Sequence, residues 1–123
     1  MMTTPSTTRF SQGDVVLTPF PFTGLKTTKR RPAVVASTNW FNANRADVIL
    51  LGVTSHVPDE LERDEVLIPD EHLEAAGLPR RSLVKVGKIA SVNASIVDRG
   101  LGRLPDKTLH AVLERLSEVL GLL

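Results

Sequence analysis

Residues Gly13–Ser37 read GDVVLTPFPFTGLKTTKRRPAVVAS, and the fold turns on how this stretch is parsed. Two apolar runs, Val15–Leu17 and Ala33–Ala36, flank a segment carrying Pro19, Pro21 and Gly24. Short β-branched runs bounded by such breakers predict two strands joined by a loop. The loop is long for a hairpin, and connections of roughly 12 residues in compact domains are often functional. It closes on four cations within six residues, Lys26, Lys29, Arg30 and Arg31. Pro32 opens the second strand (Pro32–Ser37), where a missing amide is tolerated. It also steers Arg31 away from helical backbone. An extended guanidinium beside further positive charge is well placed to hold a phosphate. The competing reading is a solvated basic turn.

Outward from this stretch the same logic gives more short elements. Thr38–Ala46, with Asn42 and Asn44, reads as a turn. Asp47–Thr54 is the most apolar strand and is expected at the centre of the sheet. Glu65–Ile68 reads as a short strand within an acidic loop, and Asp70–Ala76 as a turn or two of helix stopped by Gly77 and Pro79. Ser82–Val86 and Ile89–Val92 are expected as two strands, with Ser95–Asp98 a candidate third, before Gly100 and Gly102 break the pattern. Pro105 then opens a helix whose apolar positions are Leu109, Val112, Leu113, Leu116, Val119 and Leu120. Gly121 can end it. Many short strands with one terminal amphipathic helix describe a mainly β (α+β) protein, a small curled barrel with a helix packed on it.

At 123 residues the chain suits one domain, taken as 13–123, after a polar tail over 1–12. No apolar run approaches the roughly 20 residues that span a bilayer, and MMTTPSTTRF lacks the apolar core of a secretory signal. With no cysteine, a cytoplasmic location is expected by default, and three scattered histidines give no metal-ligand spacing. No cofactor is expected. The net charge of +1 conceals a segregation. Pro58–Glu74 carries eight acids against Arg63 alone, a net −7 that leaves +8 on the rest of the chain. A basic body can attract a polyanion. Its cations fall in the Lys26–Arg31 segment and again at Arg80, Arg81, Lys85 and Lys88.

The sequence contains no phosphate-binding glycine loop, no nucleophile elbow and no metal site. What remains is Arg31 and the Thr54–Ser55 pair at the end of the central strand. Taken alone, a threonine there reads equally as β-branched filler or as a cap for the next turn.

GDVVLTPFPFTG followed by KRRPAVV resembles the opening of the MazF/PemK family of toxins, the ribonuclease halves of toxin–antitoxin pairs. The likeness continues through LLGVTS (Leu50–Ser55), AGLPRRSLVKVGKIASVN (Ala76–Asn93) and LGRLPDKTL (Leu101–Leu109), and covers roughly residues 13–121. The resemblance implies an SH3-like barrel with a C-terminal helix. It further implies a metal-independent, sequence-selective endoribonuclease that cuts single-stranded RNA through its 2′-hydroxyl, leaving a 2′,3′-cyclic phosphate. Carried over residue by residue, the catalytic positions are Arg31 and Thr54. RNA-binding positions are Lys26, Lys29, Arg30, Ser55, Arg80, Arg81 and Lys85. The resemblance also implies a homodimer and an acidic antitoxin partner.

Two departures stand out. Several family members carry a glutamate in the loop where this chain has Lys26-Thr27-Thr28, and others an aspartate where it has Gly87. His56, two residues beyond Thr54, has a suitable reference pKa for proton transfer and would share Thr54's face if the strand continued. The alternative is an exposed loop histidine. Trp40 and Phe41 can stack on unpaired bases, against which stands core packing of at least one. Phe20 and Phe22 share a face of an extended segment and are expected to anchor the loop. The missing carboxylates keep a second function open: a non-catalytic SH3-like module that binds RNA or protein.

Overall fold

The computed structural model describes residues 10–20 and 29–122; Lys26, Phe22 and Leu123 lie outside the described residues. The Gly13–Ser37 stretch forms the expected strand pair. β1 (Asp14–Pro19) runs antiparallel to β2 (Arg30–Val35), with Val15 opposite Val34 and Thr18 opposite Arg31. β3 (Asp47–Thr54) follows beside β2, then β4 (Glu65–Leu67), β5 (Leu83–Asn93) and β6 (Arg99–Arg103). All pairs are antiparallel, in the order β4-β5-β3-β2-β1-β6, so β3 is interior as expected.

The structure revises the sequence reading in four places. Thr38–Ala46 is more than a turn: it holds a short helix, α1 (Asn39–Asn44), whose first turn is capped where the Thr38 hydroxyl accepts from the Phe41 amide at 3.4 Å. The two strands expected around Gly87 are one strand, β5, broken only in its pairing. Ile89 faces Leu51 and Lys85 faces the next residue, Gly52, so Val86, Gly87 and Lys88 are extra residues bulged from the ladder. Ser95–Asp98 is not a strand; Ala94–Ile96 is a 3-10 turn begun by the Asn93 side chain, which accepts from the Ser95 amide. Gly100 and Gly102 lie inside β6 rather than interrupting it.

Gly102 has a packing reason. A β-carbon there would collide with the carbonyl of Ala75, in the short helix α2 (Leu73–Ala76). Gly77, which ends α2 at φ 72°, would likewise drive a β-carbon into the Leu101 carbonyl. This contact also bears on how the curled sheet is completed. Among the described residues the hydrogen-bonded sheet is open, with β4 and β6 as its edges. The helix that follows β4 lies on β6, so backbone packing joins the two edges where no strand ladder does.

Alternation along the strands builds two cores on the two faces of the sheet. One gathers Val15, Val34, Leu51, Val53, Val84 and Val86 against Ile68, Leu78, Leu104 and the buried residues Leu109 and Val112 of α3 (Asp106–Leu120). The other comprises Val16, Phe20, Ala33, Val35, Val48, Leu50, Ala90 and Val92. Burial of each Val, Leu, Ile or Phe side chain among them contributes about 1.5–3 kcal/mol. Leu113 and Leu116 are partly buried, whereas Val119 and Leu120 at the end of α3 are exposed. Phe20 is buried, while the loop it is expected to anchor lies outside the described residues. Residues 10–12, assigned by sequence to the tail, are tied down here. The Phe10 carbonyl accepts from Asn42, and the Gln12 side chain donates to the Ala36 carbonyl. No described helix is long and apolar enough to cross a membrane.

Candidate active site

The β2–β3 register sets the site. Ala33 lies opposite Gly52 and Val34 opposite Leu51. Carried two residues further, that register sets Arg31 beside Thr54, where β2 begins and β3 ends. Both belong to the face of Ala33, Val35 and Leu50. Two clefts meet there and share Arg31, Pro32, Val53 and Thr54. The larger, about 610 Å³, runs past Ser55, Leu78, Arg80, Ser82, Arg99 and Leu101. The smaller, about 230 Å³, is closed by Phe20, Gly52, Lys85 and Lys88.

Local chemistry explains each placement. Thr54 Oγ1 accepts the His56 amide at 3.1 Å, which caps the strand end and leaves the hydroxyl proton to point elsewhere. The β5 bulge brings Lys85 and Lys88 into one cleft, although a regular strand would send residues three apart to opposite faces. Gly52 supplies the room beneath them. A β-carbon there would stand 3.4 Å from the Phe20 ring and 3.5 Å from Lys88 Cβ.

Lys85 is held by a partner that sequence reading did not single out. Its Nζ lies 3.0 Å from Oε2 of Glu65, the residue directly across the β4–β5 ladder. Glu65 is buried, and its other carboxylate oxygen accepts the Glu62 amide at 2.9 Å. That amide, and then the Lys85 ammonium, hold the Glu65 carboxyl below the usual carboxylate range despite its burial. The acidic composition of residues 58–74 concealed this single structural acid among solvated ones.

The other sequence-derived residues fall in distinct places. Ser55 and Arg80 line the larger cleft. Arg81 and Lys29 are exposed and line neither cleft. Arg30 is on the opposite face of β2 from Arg31, with its Nε 3.5 Å from Asp98. His56 lies beyond the end of β3, is exposed, and meets Thr54 through its backbone rather than its ring. Trp40 is 66% exposed, on α1 at the far end of β2 from Arg31. Its ring meets that of Phe41 edge-on at 6.1 Å instead of entering the core. Arg99 and Lys88 line the clefts without having been named as site residues. Gly100 and Gly102, which follow Arg99 in β6, hid it.

The departure at Gly87 has a structural counterpart. Asp64 Oδ2 lies 3.0 Å from where a Gly87 β-carbon would stand. Asp64 lines neither cleft, and among the described residues neither contains an Asp or Glu. No group of three or more His, Cys, Asp or Glu side chains that could hold a metal ion occurs among the described residues.

An open, curled six-stranded sheet with an arginine, a threonine hydroxyl and two lysines at one end defines a small α+β protein with a cationic cleft. The family of PemK-like, MazF-like toxins of type II toxin–antitoxin systems matches residues 11–120, and the chain belongs to it. It is 32% identical over 103 residues to endoribonuclease MazF6 of Mycobacterium tuberculosis, covering 83% of this chain and 88% of that one. Endoribonuclease MazF2 of Mycobacterium bovis matches to the same extent. In fold, the chain resembles MazF of Deinococcus radiodurans with a TM-score of 0.74 at 23% identity, over 94% of this chain and 99% of that one. A mycobacterial endoribonuclease in complex with its cognate antitoxin gives a TM-score of 0.73 at 18% identity, over 92% and 96% of the two chains.

Proposed function

We propose that this toxin-family chain is an endoribonuclease that cleaves single-stranded RNA with sequence selectivity, without a metal ion, in the cytoplasm. The RNA's own 2′-oxygen attacks the adjacent phosphorus as the bond to the 5′-oxygen breaks. One proton leaves the 2′-oxygen and one is taken up by the 5′-oxygen. The products are a 2′,3′-cyclic phosphate and a 5′-hydroxyl. The protein's largest task is the extra charge on the phosphorane. The Arg31 guanidinium matches two phosphate oxygens at once and keeps its charge. The Thr54 hydroxyl donates to a non-bridging oxygen. Lys85, in the same cleft as Arg31 and Thr54, holds the scissile phosphate, while Lys88 on one side and Arg80 and Arg99 on the other hold the flanking strand by its phosphates.

The observation that carries this reading is the meeting of Arg31 and Thr54 on the rim shared by both clefts. The experiment is incubation of purified protein with mixed-sequence RNA in EDTA, with the product ends identified. Cleavage leaving 5′-hydroxyl ends supports the enzyme. The absence of acidic residues from both clefts favours a second reading, a module that binds RNA or protein without cutting. RNA left intact for hours at micromolar protein selects that one.

As part of the same reading, the chain forms a homodimer and is neutralised by a short acidic antitoxin that folds onto the basic clefts. Val119, Leu120 and Leu122 leave apolar surface exposed at the C-terminal end, in support of a second copy packing there. A light-scattering mass near the 13.4 kDa of one chain, at tens of micromolar, counts against the dimer.

A further inference from the structure

We infer that Glu65 is a positioning residue for RNA cleavage: its buried carboxylate fixes the Lys85 ammonium in the cleft that Arg31 and Thr54 line. The inference rests on the endoribonuclease reading and adds a residue that touches no substrate. Glu65 sits on the three-residue edge strand β4, 7% exposed, with both carboxylate oxygens engaged. One takes the Glu62 amide and the other the Lys85 ammonium. The anchor is rigid on the protein side, because the Glu65 amide also donates to the Glu62 carbonyl and the Val86 amide to the Asp64 carbonyl.

Lys85 is the mobile partner. A lysine carries several rotatable bonds and a strongly hydrated head, so an unheld ammonium at a cleft mouth samples many positions. Its side chain is 35% exposed, and an ammonium has three donors, of which the carboxylate takes one and the others can serve a phosphate. The bulge after Lys85 interrupts the ladder with β3 on its C-terminal side, while on the β4 side the Glu65 carboxylate takes the Lys85 ammonium directly. Charge alone would argue the other way, since an acid beside an RNA cleft repels the substrate. Geometry argues for it: held by Glu65, the Lys85 ammonium sets the scissile phosphate against Arg31 and Thr54, and a displacement of about 1 Å in such an array can cost about 10²-fold in rate.

The test separates positioning from attraction. Single-turnover cleavage of mixed-sequence RNA in EDTA is compared for the wild type, Glu65→Gln, Lys85→Met and the double variant, with RNA affinity measured in parallel. Thermal unfolding reports each variant's folded fraction. Glu65→Gln is expected to slow cleavage at saturating enzyme about tenfold or more. Its RNA affinity should be unchanged or tighter, because one negative charge is gone. In the Lys85→Met background the same substitution should change the rate less than about twofold, since the residue it acts through is absent. Should Glu65→Gln not fold, Glu65→Asp keeps the charge but withdraws it by one methylene, and should lose rate while keeping affinity. A wild-type rate in the folded variant overturns the inference, as does equal slowing in both backgrounds. A wild-type protein that cuts no RNA overturns the endoribonuclease reading itself, and this inference with it.

Discussion

Arg30 and Arg31 are adjacent in sequence and committed to opposite faces of β2: Arg30 Nε lies 3.5 Å from Asp98, while Arg31 lines both clefts. Asp98 is itself placed by β1, its amide donating to the Leu17 carbonyl at 2.8 Å. Both members of the Arg30–Asp98 pair are well exposed, so the contact is worth little energetically. It nevertheless identifies the face on which Arg30 works. Among the described residues Arg31 makes no ion pair, and its guanidinium is available to a ligand.

Thr54 gives a test of donor against shape. Thr54→Val keeps the branched side chain but removes the hydroxyl that accepts the His56 amide and, in the proposed reaction, donates to phosphate. Single-turnover cleavage should fall about 10²-fold, the usual effect of losing one such donor. Thr54→Ser should keep most of the rate. Equal rates for Val and Ser would remove the hydroxyl from the chemistry.

The junction of α2 with β6 should be intolerant of added atoms. Gly77→Ala and Gly102→Ala each force a β-carbon into backbone, at Leu101 and Ala75 respectively, and Gly77 also has φ 72°. Each should destabilise the fold by about 2 kcal/mol or more in urea titrations. Gly100→Ala meets nothing within 4 Å and should leave stability nearly unchanged. A similar loss in all three would mean that β6 needs glycine for a reason other than contact with α2.

Acid stability should report on Glu65. Its folded pKa is lowered, first by the Glu62 amide and then by Lys85, so its contribution is present above the ordinary value of 4.5 and is lost as pH falls through the lower folded value. Unfolding free energies measured from about pH 6 down to pH 3 should therefore decline less steeply for Glu65→Gln than for the wild type. Parallel curves would show that this carboxylate is not linked to folding.

The strand pair around the cationic loop, the central β3 and the terminal helix were legible because each has local signals: breakers, β-branched runs and three-four apolar spacing. What escaped the sequence depends on contacts between distant segments. Gly100 and Gly102 look like breaks until α2 is laid on β6, and Gly87 looks like a strand end until the β5 ladder is seen to resume at Ile89. His56 shared Thr54's face only on the assumption that β3 continued, and the strand stops at Thr54. In the candidate site, the β-strand alternation that separates Arg31 from Arg30 could be read in advance. The pairing of Glu65 with Lys85 could not, because it follows from a cross-strand register between residues 20 apart.

The most direct measurement is single-turnover RNA cleavage in EDTA by Arg31→Ala and Arg30→Ala across enzyme and salt concentrations. Arg31→Ala should lose about two orders of magnitude or more at saturating enzyme, because a stabiliser of the phosphorane is gone. Arg30→Ala should lose mainly affinity, and recover its rate at higher enzyme or lower salt. An inactive Arg30→Ala beside an Arg31→Ala that only binds weakly would contradict the assignment of Arg31, and that of Thr54 would fall with it.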